Sequence, residues 1–346
     1  MTDGHLADMV RNALLHTFHL VTPKPRARRV DLYGRRMVVT GASPGSLGYE
    51  IARTLAGWGA AVVVTALDDP AALERTLRRR LSADGGDSDR VTARGLDLRD
   101  RRSVADFANW YADEYSELDV LVNNAGILLD PLGRWREPRL SPDGVEIHWR
   151  TNYLGTFQLT AALLPLLIES GRRSGDARVV NVSSHQHTRG RNARLFTPSG
   201  RYHSWDAYGQ SKLALIHLAS ELQRRHGGDG FLRAVALHPG SVYTNMIARG
   251  IAATRGLGPL RRLAAPLAGL VLLNPGQGAQ TAIHCATDAD VRGGDYYERC
   301  APARPSPDAL DETAAARLWE QSQEWAAGRY TRSPLAPGEP TRPNPR

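Results

Sequence analysis

From Met37 onward the apolar residues follow two alternating rhythms. Short, continuous, β-branched runs at 37–40, 61–66, 91–96, 119–122, 178–183 and 232–237 predict buried strands, with a seventh at Tyr296 to Glu298. Helical spacing between them predicts helices over 47–58, 71–81, 102–116, 143–169, 205–227 and 275–287. Strands that are apolar without alternation are buried on both faces, which requires a parallel sheet covered by helices on either side. Right-handed crossovers then make the expected fold α/β and doubly wound. No internal repeat interrupts the pattern.

Two segments stand outside it. Within residues 1–34, Leu6, Met9, Val10, Ala13, Leu14 and Phe18 repeat at helical spacing before Pro23 and Pro25, which predicts an N-terminal helix and a basic linker. Residues 329–346 form a proline-rich tail. The expected organisation is therefore one domain over 35–328 with an extension at each end.

Composition narrows the function classes. The chain has 346 residues, 42% hydrophobic and 23% charged, with a formal net charge of +8. Its arginines lie in short groups (26–29, 78–80, 99–102, 255–262) among acidic residues, without interleaved aromatics, so no nucleic-acid partner is expected. A basic face does suit a phosphate-bearing cofactor. Cys285 and Cys300 have no zinc-ligand spacing, and no metal is expected. No signal peptide is read at the N-terminus, and the longest apolar run, Leu263 to Leu273, is too short to span a bilayer. A cytoplasmic location is the resulting expectation. Lysine occurs only at positions 24 and 212, while arginine fills the other basic positions. Keeping Lys212 in such a chain suggests that an ammonium is needed there.

Chemistry concentrates at the ends of the predicted strands. The first strand runs into Thr40-Gly41-Ala42-Ser43-Pro44-Gly45-Ser46-Leu47-Gly48 and then a helix. Such a loop lets backbone approach a pyrophosphate at a helix N-terminus. After the second strand come Leu67, Asp68 and Asp69, where an acidic residue would meet a free ribose 2′-hydroxyl. Tyr208 and Lys212 share one helix face at i and i+4, and a nearby ammonium would lower the phenol pKa towards a usable acid or base. Alone, such a pair is ordinary on a solvated helix. Its weight comes from Ser184 at the end of one strand, Asn123-Asn124-Ala125-Gly126 at the end of another, and Asn152 inside an apolar helix.

In this arrangement the sequence resembles the short-chain dehydrogenase/reductase family. Thr40-Gly41 with Gly45 and Gly48, Asp97-Leu98, Asn123 to Gly126, Asn152, Ser184, Tyr208, Lys212 and His238-Pro239-Gly240 with Thr244 fall in family order over roughly residues 35–300. The resemblance implies a Rossmann-like seven-stranded sheet binding NAD(H) or NADP(H). It implies that Tyr208 exchanges a proton with the substrate oxygen and that Lys212 holds the nicotinamide ribose and lowers the Tyr208 pKa. Ser184 would orient the carbonyl, Asn152 would sustain a water-linked relay, and Asp97 would sit near the adenine. Cofactor contacts are implied for Gly41, Ser43, Gly45, Ser46, Leu47 and Gly48, and for Leu98, Asn124, Ala125 and Gly126. Pro239, Gly240, Val242 and Thr244 complete that set with Tyr208 and Lys212. Two features depart from the pattern. Gly48 falls seven residues after Gly41, one more than usual, so either Gly45 or Ser46 takes the middle role. Leu67 stands where the retinol dehydrogenase and WW-domain oxidoreductase branch usually has an NADP-selecting arginine.

That branch is similar in Asn152 to Thr160, Gly278 to Thr281, and Tyr296 to Cys300 with Leu318-Trp319-Glu320. It implies a lipophilic carbonyl or alcohol. The apolar segment 246–274 fits a lid over such a substrate first, with a dimer surface or a peripheral membrane contact as alternatives. Dimers or tetramers are usual in the family. The insertion Arg189 to Trp205, rich in Arg and His, is either a pocket rim suited to an acidic group or a solvated loop. The leading function is hydride transfer between NAD(P)(H) and a carbonyl or secondary alcohol. The alternatives are a non-catalytic NAD(P)-binding regulatory or interaction protein, and a lyase or epimerase, on the same fold.

Overall fold

The computed structural model describes residues 25–196, 201–240 and 273–328. The N-terminal helix, most of the 246–274 segment, Val242, Thr244 and the proline-rich tail lie outside the described residues.

Eight strands form one sheet: β1 (Arg36–Val39), β2 (Ala61–Ala66), β3 (Val91–Gly95), β4 (Val120–Asn123), β5 (Ala177–Val182), β6 (Leu232–His238), β7 (Tyr296–Glu298) and β8 (Ala301–Ala303). Their order is β3-β2-β1-β4-β5-β6-β7-β8. Every pair from β3 to β7 is parallel, as predicted, and only β8 is antiparallel. The eighth strand is an addition to the seven expected. It follows a two-residue turn in which Arg299 (φ 54°) and Cys300 (φ 59°) are both left-handed. That is the geometry of a tight hairpin, built here without the glycine or asparagine that would have announced it.

The helices are α1 (Leu47–Gly57), α2 (Pro70–Ala83), α3 (Arg101–Glu114), α4 (Gly155–Ser174), α5 (Ser204–His226), α6 (Pro275–Thr287) and α7 (Glu312–Ala326). Side chains of a strand alternate between faces, so Met37 and Val39 pack with α1, α2 and α6, while Val38 packs with α3, α4, α5 and α7. Both faces are buried, which is why these strands read as unbroken apolar runs.

The helix predicted over 143–169 begins later, with a π turn at Trp149–Leu154 leading into α4. Gly144 (φ 76°) and a bridge between Leu140 and Glu146 occupy the preceding residues instead. Helix α7 was not predicted. Asp311 caps it, and Ala314, Ala315, Leu318, Trp319, Ser322 and Trp325 bury one face against α4 and α5. Trp149–Ser174 has the length and apolarity of a membrane span, but 61% of its most apolar window is buried inside the fold, as befits a core helix. The described part of the basic linker packs on the domain: Leu32 is buried, Ala27 donates to Gln280, and Arg28 pairs with Asp288.

Candidate active site

The strand order reverses between β1 and β4, and ligands of open α/β sheets bind at the carboxyl ends of strands around that point. Thr40 links the two strand ends. Its hydroxyl oxygen accepts from the amides of Asn124 and Ala125, each at 3.0 Å. The Asn124 side chain returns a bond to the Thr40 carbonyl at 2.8 Å. The glycine loop is thereby tied to the β4 loop before any ligand binds.

Within that loop Gly45 and Ser46 differ in backbone conformation. Gly45 takes φ 74°, whereas Ser46 is the N-cap of α1, accepting from Ser43 at 3.0 Å and Tyr49 at 3.2 Å. The first-turn amides of Leu47 and Gly48 lie beyond any intrahelical acceptor and form the positive end of the helix dipole. The loop is packed so closely that a Cβ on Gly48 would stand 2.6 Å from Asn124 Nδ2. Free amides, a helix N-terminus and backbone without side-chain obstruction suit the pyrophosphate of a dinucleotide.

At the outer end of this cleft the acidic residues separate in role. Asp69 caps α2 through the Ala72 amide, which leaves Asp68 at the strand end beside the exposed Leu67. Burial alone would raise the Asp97 carboxyl, yet two side-chain contacts and an amide from Arg99 hold it below the usual range. The Asp97 carboxylate is thus engaged by Arg99. Leu98 is buried, and Gly155 at the start of α4 lets the Leu98 carbonyl approach where any side chain would collide.

The residues expected to carry the chemistry converge. Tyr208 is 4% and Lys212 3% exposed, and Lys212 Nζ lies 5.7 Å from the Tyr208 ring centroid. Lys212 also donates to the Val182 carbonyl at 2.8 Å. A Cβ on Gly126 would stand 3.2 Å from Lys212 Nζ and 3.3 Å from Asn152 Oδ1, so these groups share one corner. Ser184 caps a short turn through Gln186, and its side chain stands near enough to Tyr208 to draw the phenol pKa down. Gly209 makes this closeness achievable, since a Cβ there would stand 2.5 Å from the Gln186 carbonyl. Pro239 and Gly240 (φ 85°) follow β6 at the same edge of the sheet, and His238 Nδ1 accepts from the His185 amide.

Burial sets the titration of this corner: it pushes the Tyr208 pKa up to about 12, offset only in part by Ser184. Burial also pulls Lys212 down to about 8. The Asn152 side chain is held by hydrogen bonds on both sides. It accepts from the Ile127 amide at 2.7 Å and donates to the Ile127 carbonyl and to Ser211, each at 3.0 Å, clamping the β4 loop to α5. The insertion arginines likewise have structural partners: Arg189 and Arg194 approach Asp206, and Arg191 approaches Asp308. These contacts favour the loop reading over a basic rim.

Sequence reasoning missed several residues of the site. Thr40 entered it only as part of the glycine loop. His187 donates from Nδ1 to the Ser184 carbonyl at 2.7 Å while Nε2 accepts from the Ser306 amide. Trp205 meets Tyr208 edge-on and donates to the Pro131 carbonyl. A capping residue and an aromatic just before a helix leave little signal in one sequence.

A dinucleotide cradle beside a buried Ser–Tyr–Lys corner defines a nicotinamide-dependent oxidoreductase. Residues 35–253 match the short chain dehydrogenase family, and the chain belongs to it. It is 37% identical to retinol dehydrogenase 12 of Mus musculus over 303 residues, covering 85% of this chain and 87% of that one. With dehydrogenase/reductase SDR family member 13 of Bos taurus the identity is 37% over 331 residues, covering 93% and 79%. Among solved structures, an uncharacterized protein from Mycobacterium paratuberculosis superposes with a TM-score of 0.64 at 34% identity, covering 86% and 95%. The NADP complex of RhlG from Pseudomonas aeruginosa gives 0.56 at 27%, covering 77% and 94%. The protein is an NAD(P)-dependent oxidoreductase of alcohols or carbonyls on the retinol dehydrogenase-like branch.

Proposed function

We propose that the protein transfers a hydride between NAD(P)(H) and the carbonyl or secondary alcohol of a lipophilic small molecule, with Tyr208 as general acid/base. The observation that carries this is the corner where the buried Tyr208 and Lys212 meet, with Lys212 Nζ 5.7 Å from the Tyr208 ring and half-buried Ser184 beside the phenol. Hydride donation or acceptance is the chemistry that the nicotinamide supplies when bound. In reduction, Tyr208 gives its proton to the oxygen of the carbonyl while the Ser184 hydroxyl holds that oxygen. In oxidation the Tyr208 phenolate takes the alcohol proton while the Ser184 hydroxyl holds the oxygen. Lys212 would hold the nicotinamide ribose with the hydrogens not given to Val182, and Asn152 holds the β4 loop in place. A lipophilic substrate is supported by the retinol dehydrogenase relatives. Nicotinamide absorbance, followed with retinal and a panel of long-chain and aromatic carbonyls, tests the reading; no turnover on any of them overturns it.

The pH dependence separates the two directions. A phenol held up to about 12 stays protonated at neutral pH, which readies it for reduction. Reduction kcat/KM is expected to decline as pH rises through about 8, the midpoint at which Lys212 loses its charge. Oxidation needs the phenolate, so its kcat/KM is expected to climb with pH across the same range. Profiles measured in both directions check this, and oxidation that declines on going above neutral pH would contradict it. In folding terms, the depressed Lys212 pKa costs stability below about 8, a cost relieved as pH approaches the unfolded value. The raised Tyr208 pKa acts oppositely, and its contribution is lost as pH rises towards about 12.

For the cofactor we propose NAD(H) over NADP(H). Asp68 lies at the ribose end of β2, while Arg99 is forked onto Asp97 and Leu67 is apolar. A 2′-phosphate would there meet a carboxylate and an arginine already engaged. NADH is expected to bind more tightly than NADPH in fluorescence titrations, and Leu67→Arg to shift the ratio towards NADPH by about tenfold. Tighter NADPH binding by the unaltered protein would reverse the assignment, a sharp test given that RhlG was solved with NADP. Cytoplasmic residence belongs to the same proposal. Fractionation of cells expressing the full chain checks it, and recovery with membranes replaces it with membrane attachment.

A further inference from the structure

Behind the β4 loop lies a polar cluster with no place in the mechanism above. Glu146 and His148 side chains are both 0% exposed. Glu146 Oε2 accepts from the Trp149 amide at 2.8 Å, and Oε1 accepts from His148 Nδ1 at 2.7 Å and from the Tyr202 hydroxyl at 2.9 Å. His148 Nε2 accepts from the Leu129 amide at 3.0 Å. An amide N–H can only donate, so Nε2 is the bare nitrogen, Nδ1 carries the hydrogen, and one tautomer is enforced. Three donors and the start of the Trp149–Ser174 helix stabilise a carboxylate that has been taken out of water. Because Nε2 is occupied by the backbone, the cluster has no open end through which a proton could reach the cofactor cleft. Its geometry is that of a strut.

Both ends of the strut meet elements of the active site. Leu129 belongs to the loop that Asn152 holds at Ile127, and its neighbour Asp130 accepts from the Ser204 hydroxyl at 2.9 Å. Tyr202 lies two residues before Ser204, where α5 begins, and Trp205 in the first turn of α5 binds Pro131 and packs on Tyr208. We propose that Glu146, His148 and Tyr202 are positioning residues that hold the β4 loop and the start of α5 in fixed relation, and so set where Tyr208 stands relative to the reacting carbon. This rests on Tyr208 being the acid/base. Misplacement of a reacting group by about 1 Å costs on the order of 100-fold in rate, so the network acts on kcat more than on cofactor binding.

The test compares His148→Leu, His148→Gln, Tyr202→Phe and Tyr208→Phe for kcat, KM, NADH affinity and Tm, using a carbonyl that the unaltered protein reduces. His148→Leu is expected to lower kcat about tenfold or more with NADH affinity unchanged, and Tyr202→Phe to lower it about threefold to tenfold. His148→Gln, whose amide oxygen can still accept from Leu129, is expected to recover kcat to within about threefold. A merely structural role would lower Tm and leave kcat and the glutamine rescue without effect. If His148→Leu does not fold, Tyr202→Phe decides: an unchanged kcat overturns the network. If Tyr208→Phe keeps full activity, the acid/base assignment fails and the inference falls with it. An inactive Tyr208→Phe beside fully active His148→Leu and Tyr202→Phe overturns the network alone.

Discussion

Replacing Tyr208 with Phe is expected to lower kcat for carbonyl reduction by about 100-fold to 10,000-fold while NADH binds as before. The substitution removes one oxygen and nothing else. The ring keeps its edge contact with Trp205, and Ser184 keeps the Gln186 amide on its hydroxyl. The fold loses one buried hydroxyl, at a cost of about 1 kcal/mol at most. Stability and activity therefore separate: Tm should move by only a few degrees, whereas the proton that reduction requires has no source at the right place. Stopped-flow or steady-state rates, with NADH affinity and Tm measured on the same preparation, check the split. Full activity in Tyr208→Phe would remove the central assignment. A matching loss of NADH affinity would move Tyr208 from proton transfer to cofactor binding.

The second large effect is expected at Gly41. It adopts φ 73°, and a Cβ there would stand 2.6 Å from the Cα of Ala125 and 2.8 Å from its Cβ. Those atoms belong to the β4 loop that Thr40 and Asn124 tie down, so they cannot yield as a flexible side chain would. Gly41→Ala should cost about 1–2 kcal/mol for the left-handed backbone and about 1–3 kcal/mol more for the overlap. Relief of the clash pushes the glycine loop away from β4, which should weaken NADH binding by about 100-fold, since the pyrophosphate amides and the nicotinamide end shift apart. Gly34 is the control. It has φ 79° with nothing within 4 Å of its missing Cβ, so Gly34→Ala carries the backbone cost alone. Denaturation midpoints and NADH titrations on both variants isolate the packing contribution. Equal behaviour of the two would show that the loop does not depend on that close approach.

Much of this site was legible along the chain because its parts are local. A glycine loop after the first strand, Tyr208 and Lys212 one helical turn apart, and serine at a strand end each follow from short-range pattern. Their convergence is a consequence of parallel topology, which brings the carboxyl ends of β1, β4 and β5 to one edge. What did not follow was the outcome of competition between partners distant in sequence. Asp69 and Asp68 look equivalent on paper, yet Asp69 caps α2. The insertion arginines promised free charge, yet Asp206 and Asp308 lie beside them, the latter more than a hundred residues away. Helix α7 carried an amphipathic pattern that was readable, but its burial against α4 and α5 was not.

The sign of the pKa shifts marks the boundary most clearly. Sequence alone determined that a phenol and an amine share a helix face, because helical geometry repeats every 3.6 residues whatever surrounds it. It determined the doubly wound sheet for the same kind of reason, since strands buried on both faces have to be apolar throughout. Only the tertiary structure decided that this phenol is pushed up and this amine pulled down. Desolvation is set by every atom packed around a group, and those atoms come from β4, β5, α5 and the π turn together.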